Sequence, residues 1–470
     1  MISLAQVRAT ADGALAFAPE TSAPRTEMVD ELDVLLTGGR LSAHSRGVID
    51  AAVGAAGSDA EALRLAQQLV AVSPEYHATG LAEMETGAVR EPPVRIANGN
   101  RPYKAIVVLF LRGGCDTYNV LVPRGGCDSG ERLVREYAEV RSNVALEPDS
   151  LLNISSEVGA QPCETFGVHP ELPVLQDLYE RGEAAFVANV GPLVEPINKE
   201  EYLAGTKRYP ISLFAHNAQV EVAHNLRAET LSANGVLGRT VDALASQPEP
   251  YRCGPYSISG NERILFGGHA PYVINARKGL EQFRWFDTRG GTVAELSEPV
   301  SENIFAETWA QRMERALADA EDVGAKLDAA TTNRTFDAES DLASQLRQVA
   351  RLISARAPSE LDSERDVFYV DIGGFDTHSD LLEVQQTLLK EVNGALETFV
   401  AELRDQEVWD KVALMSLSDF GRTLTSNGRG TDHGWAGHHF VIGGDVRGGR
   451  IVGEYPPTLL ETYENPFNIG

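Results

Sequence analysis

Four stretches of the chain are apolar at nearly every position rather than at alternate ones. They are Lys104-Ala-Ile-Val-Val-Leu-Phe-Leu111, Ala184-Ala-Phe-Val-Ala-Asn-Val190, Val367-Phe-Tyr-Val-Asp-Ile372 and Val412-Ala-Leu-Met-Ser-Leu417. Runs of this kind fit strands covered on both faces, as in a parallel sheet between helices. Elsewhere the apolar residues recur every three or four positions. Glu171–Arg181 carries Leu172, Leu175, Leu178 and Tyr179 on one helical face and stops at Gly182. Leu381–Leu403 carries Leu381, Leu388, Val392, Leu396, Phe399 and Leu403 in the same way. Strands alternating with helices predict an α/β fold with a mostly parallel sheet flanked by helices. Two further helices, about 302–330 and 340–356, have polar faces and interrupt the series as a cap or an excursion from the sheet.

The first ninety or so residues have a different texture. Met28-Val-Asp-Glu-Leu-Asp-Val-Leu-Leu36 has helical spacing and runs into Gly38-Gly39, a stop signal. Ser58-Asp-Ala-Glu61 has the spacing of a capping box and opens a helix through Leu63, Leu65, Leu69 and Val70. The stretch from Val89 to Tyr103 is rich in Pro, Gly, Asn and Arg, a linker composition. The expected organisation is therefore a small all-helical segment over 1–88, a linker over 89–103 and one large α/β domain over 104–470.

Composition narrows the partners. The chain has 470 residues, 41 Lys+Arg against 68 Asp+Glu, and a formal net charge of −27. So acidic a surface repels phosphate backbones and anionic lipid headgroups, which argues against nucleic acid or a membrane surface as partner. No apolar run approaches the ~20 residues of a membrane-spanning helix. Cys115, Cys127, Cys163 and Cys253 are widely spaced and match no zinc-ribbon or disulfide-dense pattern, so they leave the compartment open. Met1-Ile-Ser-Leu4 lacks the basic and apolar regions of a secretory signal and reads as the middle of an element.

Ligands of open α/β sheets sit beyond the carboxyl ends of the strands, so the residues following each predicted strand are the ones to inspect. After the first comes Arg112-Gly-Gly-Cys-Asp116. After Val367–Ile372 comes Gly373-Gly-Phe-Asp376-Thr-His378. After Val412–Leu417 comes Ser418-Asp419-Phe-Gly-Arg422, followed by Asp432-His433 and His438-His439. Carboxylates and imidazoles in glycine-flanked loops are ligands for zinc, manganese or magnesium, and two such metals can clamp an ester and activate a nucleophile. Each acid alone reads equally well as a turn or cap residue. Arg112 and Arg422 suit a bound phosphate or sulfate, or structural ion pairs to the acids. A second cluster, Ser212-Leu-Phe-Ala-His216-Asn217, offers Ser212 as a nucleophile and His216 as a ligand or general acid. No Gly-x-Gly-x-x-Gly follows the first strand, which argues against a dinucleotide-dependent oxidoreductase.

These segments also carry a resemblance. Leu109-Phe-Leu-Arg-Gly-Gly-Cys-Asp-Thr-Tyr-Asn-Val-Leu-Val-Pro123, Phe166-Gly-Val-His-Pro-Glu-Leu172, Gly373–His378, Ser418–Thr423, Asn427-Gly428 and Gly430-Thr-Asp-His-Gly-Trp435 resemble, in order, the motifs of the family called domain of unknown function 1501. That family is grouped with alkaline phosphatases and sulfatases. The resemblance implies an alkaline phosphatase-like fold and two divalent metals. Asp116 and Asp419 would hold one metal, and Asp376, His378 and His433 the other. Arg112 and Arg422 would bind the anion, and His216 and Arg422 would be catalytic, with Ser212, the catalytic candidate read from its place near the cluster, three residues from the family's nucleophile position. The implied activity is hydrolysis of a small phosphate or sulfate ester by an exported protein. One departure stands out. Ala215 occupies the position where the family usually carries a Ser before the His, the nucleophile position of the superfamily. That leaves attack by activated water, or a non-catalytic binding or secretion-associated protein on the same fold. Leu32–Ser42 and Gln67–Tyr76 resemble the tail of domain of unknown function 1800. Asn465–Gly470 stops where the first family continues, so the chain reads as a fragment.

Overall fold

The computed structural model describes residues 24–78, 101–280, 286–357 and 360–460. The chain's first residues, all of the 89–103 linker but its last three positions, and Asn465–Gly470 lie outside them. The chain divides into two compact units, residues 1–95 with 281–325, and residues 96–280 with 326–470.

The first unit is helical. Its N-terminal helices Arg25–Leu32, Ala43–Gly54 and Asp59–Val72 share one apolar core with Phe286–Ser297 and the first part of Ile304–Ala329. Val29, Ile49, Leu69 and Val70 meet Val293, Leu296 and Leu317 there. The capping signal is half realised. Ser58 Oγ accepts from the Glu61 N–H at 3.2 Å, while Glu61 accepts from the Gly57 N–H rather than from Ser58.

The second unit is built on strands β1 (Lys104–Leu111), β2 (Leu121–Gly125), β3 (Leu152–Ser155), β4 (Thr165–Val168), β5 (Ala184–Val190), β6 (Cys253–Ser257), β7 (Tyr272–Val273), β8 (Arg365–Ile372), β9 (Val412–Ser418), β10 (Gly437–Ile442) and β11 (Arg450–Val452). Eight form one sheet in the order β11-β5-β10-β9-β1-β8-β6-β7, and β2-β4-β3 form a small antiparallel sheet. β1 lies at the centre, parallel to β8 and β9. Its side chains go to both faces. Val107, Leu109 and Leu111 enter one core with Leu346, Val349, Val392, Leu396 and Phe399 from the helices Asp341–Ser354 and Leu381–Asp405. Val108 and Phe110 enter the core on the opposite face with Leu237 and Val241. This two-sided burial is the physical reason for the unbroken apolar runs. β10 is the sheet's antiparallel member, paired with β9 and β5. Cys127, after β2, forms a disulfide with Cys163, just before β4. No helix among the described residues is long and apolar enough to cross a membrane.

Candidate metal centre

Sheet topology gathers the site. Leu111 is level with Ile372 of β8 and with Ser418 of β9, so three parallel strands end at one edge. Their continuations carry Arg112–Asp116, Asp376–His378 and Asp419–Arg422. Because β10 runs antiparallel, its first residue is at the same edge, and the connection before it brings Thr431, Asp432 and His433 there. β5 ends there too, and the chain after it leads to His216, the first residue of the helix His216–Asn225. Gly113 lets the loops interlock. Its φ is +115°, and a Cβ on it would lie 2.6 Å from the Asp376 backbone nitrogen.

Three imidazoles and one carboxylate meet at this edge. His433 Nε2 lies 3.1 Å from His216 Nε2, 3.0 Å from His378 Nε2 and 3.2 Å from Asp376 Oδ1. His216 Nε2 lies 3.3 Å from Asp376 Oδ2. One donor atom each from His216, Asp376 and His433 falls within 4.8 Å of the others.

The other ring nitrogens settle what these atoms are. His216 Nδ1 is 2.8 Å from Asp419 Oδ2, His378 Nδ1 is 2.8 Å from Asp432 Oδ1, and His433 Nδ1 is 2.7 Å from the Phe214 carbonyl. All three partners accept only, so each Nδ1 donates, and a ring that carries no second proton turns its Nε2 lone pair inward. Lone pairs facing each other and a carboxylate repel unless a cation lies among them. Around a zinc-sized ion, ligand atoms about 2.0–2.1 Å from the metal are separated by about 3.3 Å along a tetrahedral edge. A ligating imidazole that donates its other N–H to a carboxylate or carbonyl is the usual outer arrangement of such sites. The donor set therefore fits a divalent cation that accepts nitrogen ligands.

Charge is arranged to match. Burial pushes the Asp376 carboxyl up, but the Arg422 guanidinium hydrogen-bonded to it, together with the adjacent imidazoles, outweighs that and holds its pKa at about 2. Arg422 Nη1 reaches Asp376 Oδ1 at 2.7 Å. The hydrogen bond from His378 draws the Asp432 carboxyl below its ordinary value.

The remaining sequence candidates lie elsewhere. Asp419 is an orienting partner of His216, and its second oxygen accepts the Gly113 N–H at 2.9 Å. Asp116 is not among the gathered ligand atoms. It is buried on Arg141 at 2.6 Å and accepts the Thr431 hydroxyl at 2.8 Å. Arg422 is buried and committed to Asp376 and to the Thr431 carbonyl. Arg112 donates to Asp371 and Glu262 at 2.6 and 3.0 Å, and its Nη1 edge has no protein partner among the described residues. Ser212 is exposed in a turn with φ +48°, and no hydrogen bond of its hydroxyl is seen among the described residues. Ala215 is the N-cap of the His216 helix and offers no side-chain cap. His438 is buried and His439 half-buried in β10, and their surroundings push them down to about 3 and about 4. Sequence reasoning passed over the Phe214 carbonyl, Thr431 and Arg141, and left Asp432 between a strand-end carboxylate and a turn cap. Only Asp432 had a local signal, its place beside His433.

An open pocket of about 540 Å³ adjoins the centre, lined in part by Arg112, His216, Asn217, Glu262, Asp376 and Asp419.

The profile of a family described as "Protein of unknown function (DUF1501)" matches residues 103–470. No curated protein matches the sequence. Among solved structures, the chain is similar to the lipoteichoic acid synthase LtaP from Listeria monocytogenes, with 9% identity over 80% of this chain and 71% of that one and a TM-score of 0.28. It is also similar to Ps i-CgsB, with 12% identity, 76% and 68% covered and a TM-score of 0.28. A third is the alkaline phosphatase from the Antarctic bacterium TAB5, with 10% identity, 76% and 95% covered and a TM-score of 0.26. Likeness at this level carries no statement about activity.

Proposed function

The chain belongs to the DUF1501 family of proteins of unknown function, and from that premise we propose that its α/β unit is a metal-dependent hydrolase of phosphate or sulfate esters. The observation that carries this reading is the convergence of His216, Asp376 and His433, with donor atoms within 4.8 Å of one another, and His378 Nε2 3.0 Å from His433 Nε2. Zinc, manganese or magnesium all fit the sequence pattern, and the nitrogen-rich donor set favours zinc over the oxygen-seeking magnesium. A divalent cation bound there would polarise an ester oxygen and make a water more acidic. His216, His378 and His433 would hold it, each fixed in one tautomer by Asp419, Asp432 and the Phe214 carbonyl. Asp376 would add the negative ligand. Arg112 lines the adjoining pocket, and its Nη1 edge, without a protein partner among the described residues, would receive an anionic oxygen. Ala215 provides no hydroxyl, so the reading assigns attack to water rather than to a protein nucleophile. Asp116 is engaged by Arg141, so the reading needs only one ion at the cluster. The Cys127–Cys163 disulfide supports an oxidising compartment, in keeping with the export that the resemblance implies.

Metal analysis of the purified chain is the direct test. About one divalent ion per chain is expected, lost in Asp376→Ala and in His433→Ala. Sub-stoichiometric metal that neither substitution changes would sink the proposal. Bound metal without turnover of any aryl phosphate or sulfate would favour the second reading, a non-catalytic binding or secretion-associated protein, for which Ala215 is the motivating residue.

A further inference from the structure

Behind the histidines runs a chain of buried polar side chains that the proposed chemistry does not touch. Arg141, Asp116, Thr431 and Arg422 are 0%, 1%, 0% and 2% exposed. Arg141 Nη2 donates to Asp116 Oδ2 at 2.6 Å, and its Nη1 donates to the Thr423 and Leu424 carbonyls, each at 3.2 Å. Its Nε donates to Asn119 Oδ1, which also accepts the Tyr137 hydroxyl. Asp116 Oδ2 then accepts the Thr431 hydroxyl at 2.8 Å. Thr431 in turn receives Arg422 twice, Nε on its hydroxyl oxygen at 3.4 Å and Nη2 on its carbonyl. Arg422 ends the chain on Asp376 Oδ1 at 2.7 Å.

An ion pair between Arg141 and Asp116 would satisfy both charges by itself. The link through Thr431 adds direction. A hydroxyl has one proton, and Asp116, being acceptor-only, takes it. The oxygen lone pairs are thereby turned toward Arg422 Nε–H. Without that acceptor, a buried guanidinium N–H is left unmade, which is costly enough to shift the side chain. Asp116 Oδ1 has no hydrogen-bond partner among the described residues, so the residue acts on this chain through Oδ2.

We propose that Asp116 is a positioning residue that, through Thr431, aims Arg422 at Asp376 Oδ1, the oxygen that His378 and His433 also approach, and so fixes the carboxylate with Oδ2 toward His216. The proposal rests on the reading of those residues as a metal centre. It gives Asp116 a role one hydrogen-bonded chain away from the ligand position that the family resemblance implies.

The test uses the whole chain with Thr431→Val, which removes the relay hydroxyl at nearly constant shape, and Thr431→Ser, which restores it. Cobalt(II) alone is titrated and followed by its visible absorption. Exchange of the Arg422 Nε–H is followed separately by ¹⁵N NMR without metal. Thr431→Val should exchange at least about tenfold faster and bind cobalt about 10–100-fold more weakly, the usual cost of an outer-shell loss. Thr431→Ser should stay near the wild type in both. Asp116→Ala, which removes the acceptor, should behave like Thr431→Val. Wild-type exchange in Thr431→Val, or equal losses in Thr431→Ser, would overturn the relay. If Thr431→Val does not fold, Thr431→Ala is read in its place. A wild-type chain that takes up no cobalt would overturn the metal reading, while the exchange measurement still decides the relay.

Discussion

Ala215 sits where a helix wants a hydroxyl. As N-cap of His216–Asn225, with φ −102° and ψ 118°, it has the extended backbone of a capping residue and no oxygen to offer. Ala215→Ser should therefore raise stability by about 1 kcal/mol, read as a shift in denaturant midpoint. The same variant probes ancestry, because a gain of ester hydrolysis would mark a decayed nucleophile position. Asp366 makes a second prediction at this scale. Burial raises its pKa to about 7, against the opposing hydrogen bonds of Tyr103, Ser363 and the Gly254 N–H. The folded chain then holds a proton that the unfolded chain, with an Asp pKa of about 3.9, has already released. Its contribution is full below about pH 4 and is lost as pH rises through 7. His169 and His224, pushed down by burial to about 4, work in the opposite sense and lose their contribution as pH falls from 6.5. Melting curves of Asp366→Asn and wild type across pH 4–8 separate the two, since only the aspartate's part vanishes in the variant. Parallel curves would refute the assignment.

Among elements, what the sequence disclosed follows from what each element buries. β1, β5, β8 and β9 were legible because both of their faces are covered, which demands unbroken apolar runs. β6, Cys-Gly-Pro-Tyr-Ser, and β10, which opens Gly-His-His, carry no such signature and depend on neighbours supplied by the rest of the sheet. The site divides in the same way. Asp376, His378 and His433 stand in loops whose convergence the strand ends imply. A carboxylate at a strand end reads alike whether it faces a cation or an arginine. What engages Asp116 is Arg141, from a helix 25 positions on, and no local pattern announces that pairing. The interlock of these loops makes a prediction of its own. Gly113→Ala puts a Cβ against the Asp376 backbone in a φ region that alanine avoids. It should destabilise the unit and, even where the variant folds, reduce metal uptake; an unchanged metal content would show that the two loops are not coupled.

For the molecule as a whole, the surface charge and the disulfide act on different states of the chain. The −27 charge coats the surface, and only a few of its carboxylates serve the centre. The disulfide acts on the unfolded chain. Cys127 and Cys163 are 36 positions apart, and closing a loop of that size removes about 4 kcal/mol of unfolded-state entropy in the simple chain model. Reductant should lower the melting temperature by several degrees. The double variant Cys127→Ser/Cys163→Ser should melt at the reduced value and ignore reductant. Thiol titration of the denatured, unreduced chain gives an independent check. It should find two reactive thiols, Cys115 and Cys253, and four would mean that the bond does not form. Because Cys127 follows β2 and Cys163 precedes β4, the bond tethers the small sheet and not the strand ends that carry the histidines. Metal affinity should accordingly survive reduction at temperatures where the fold is intact. A loss of metal in step with reduction would instead tie the centre to the redox state of its surroundings.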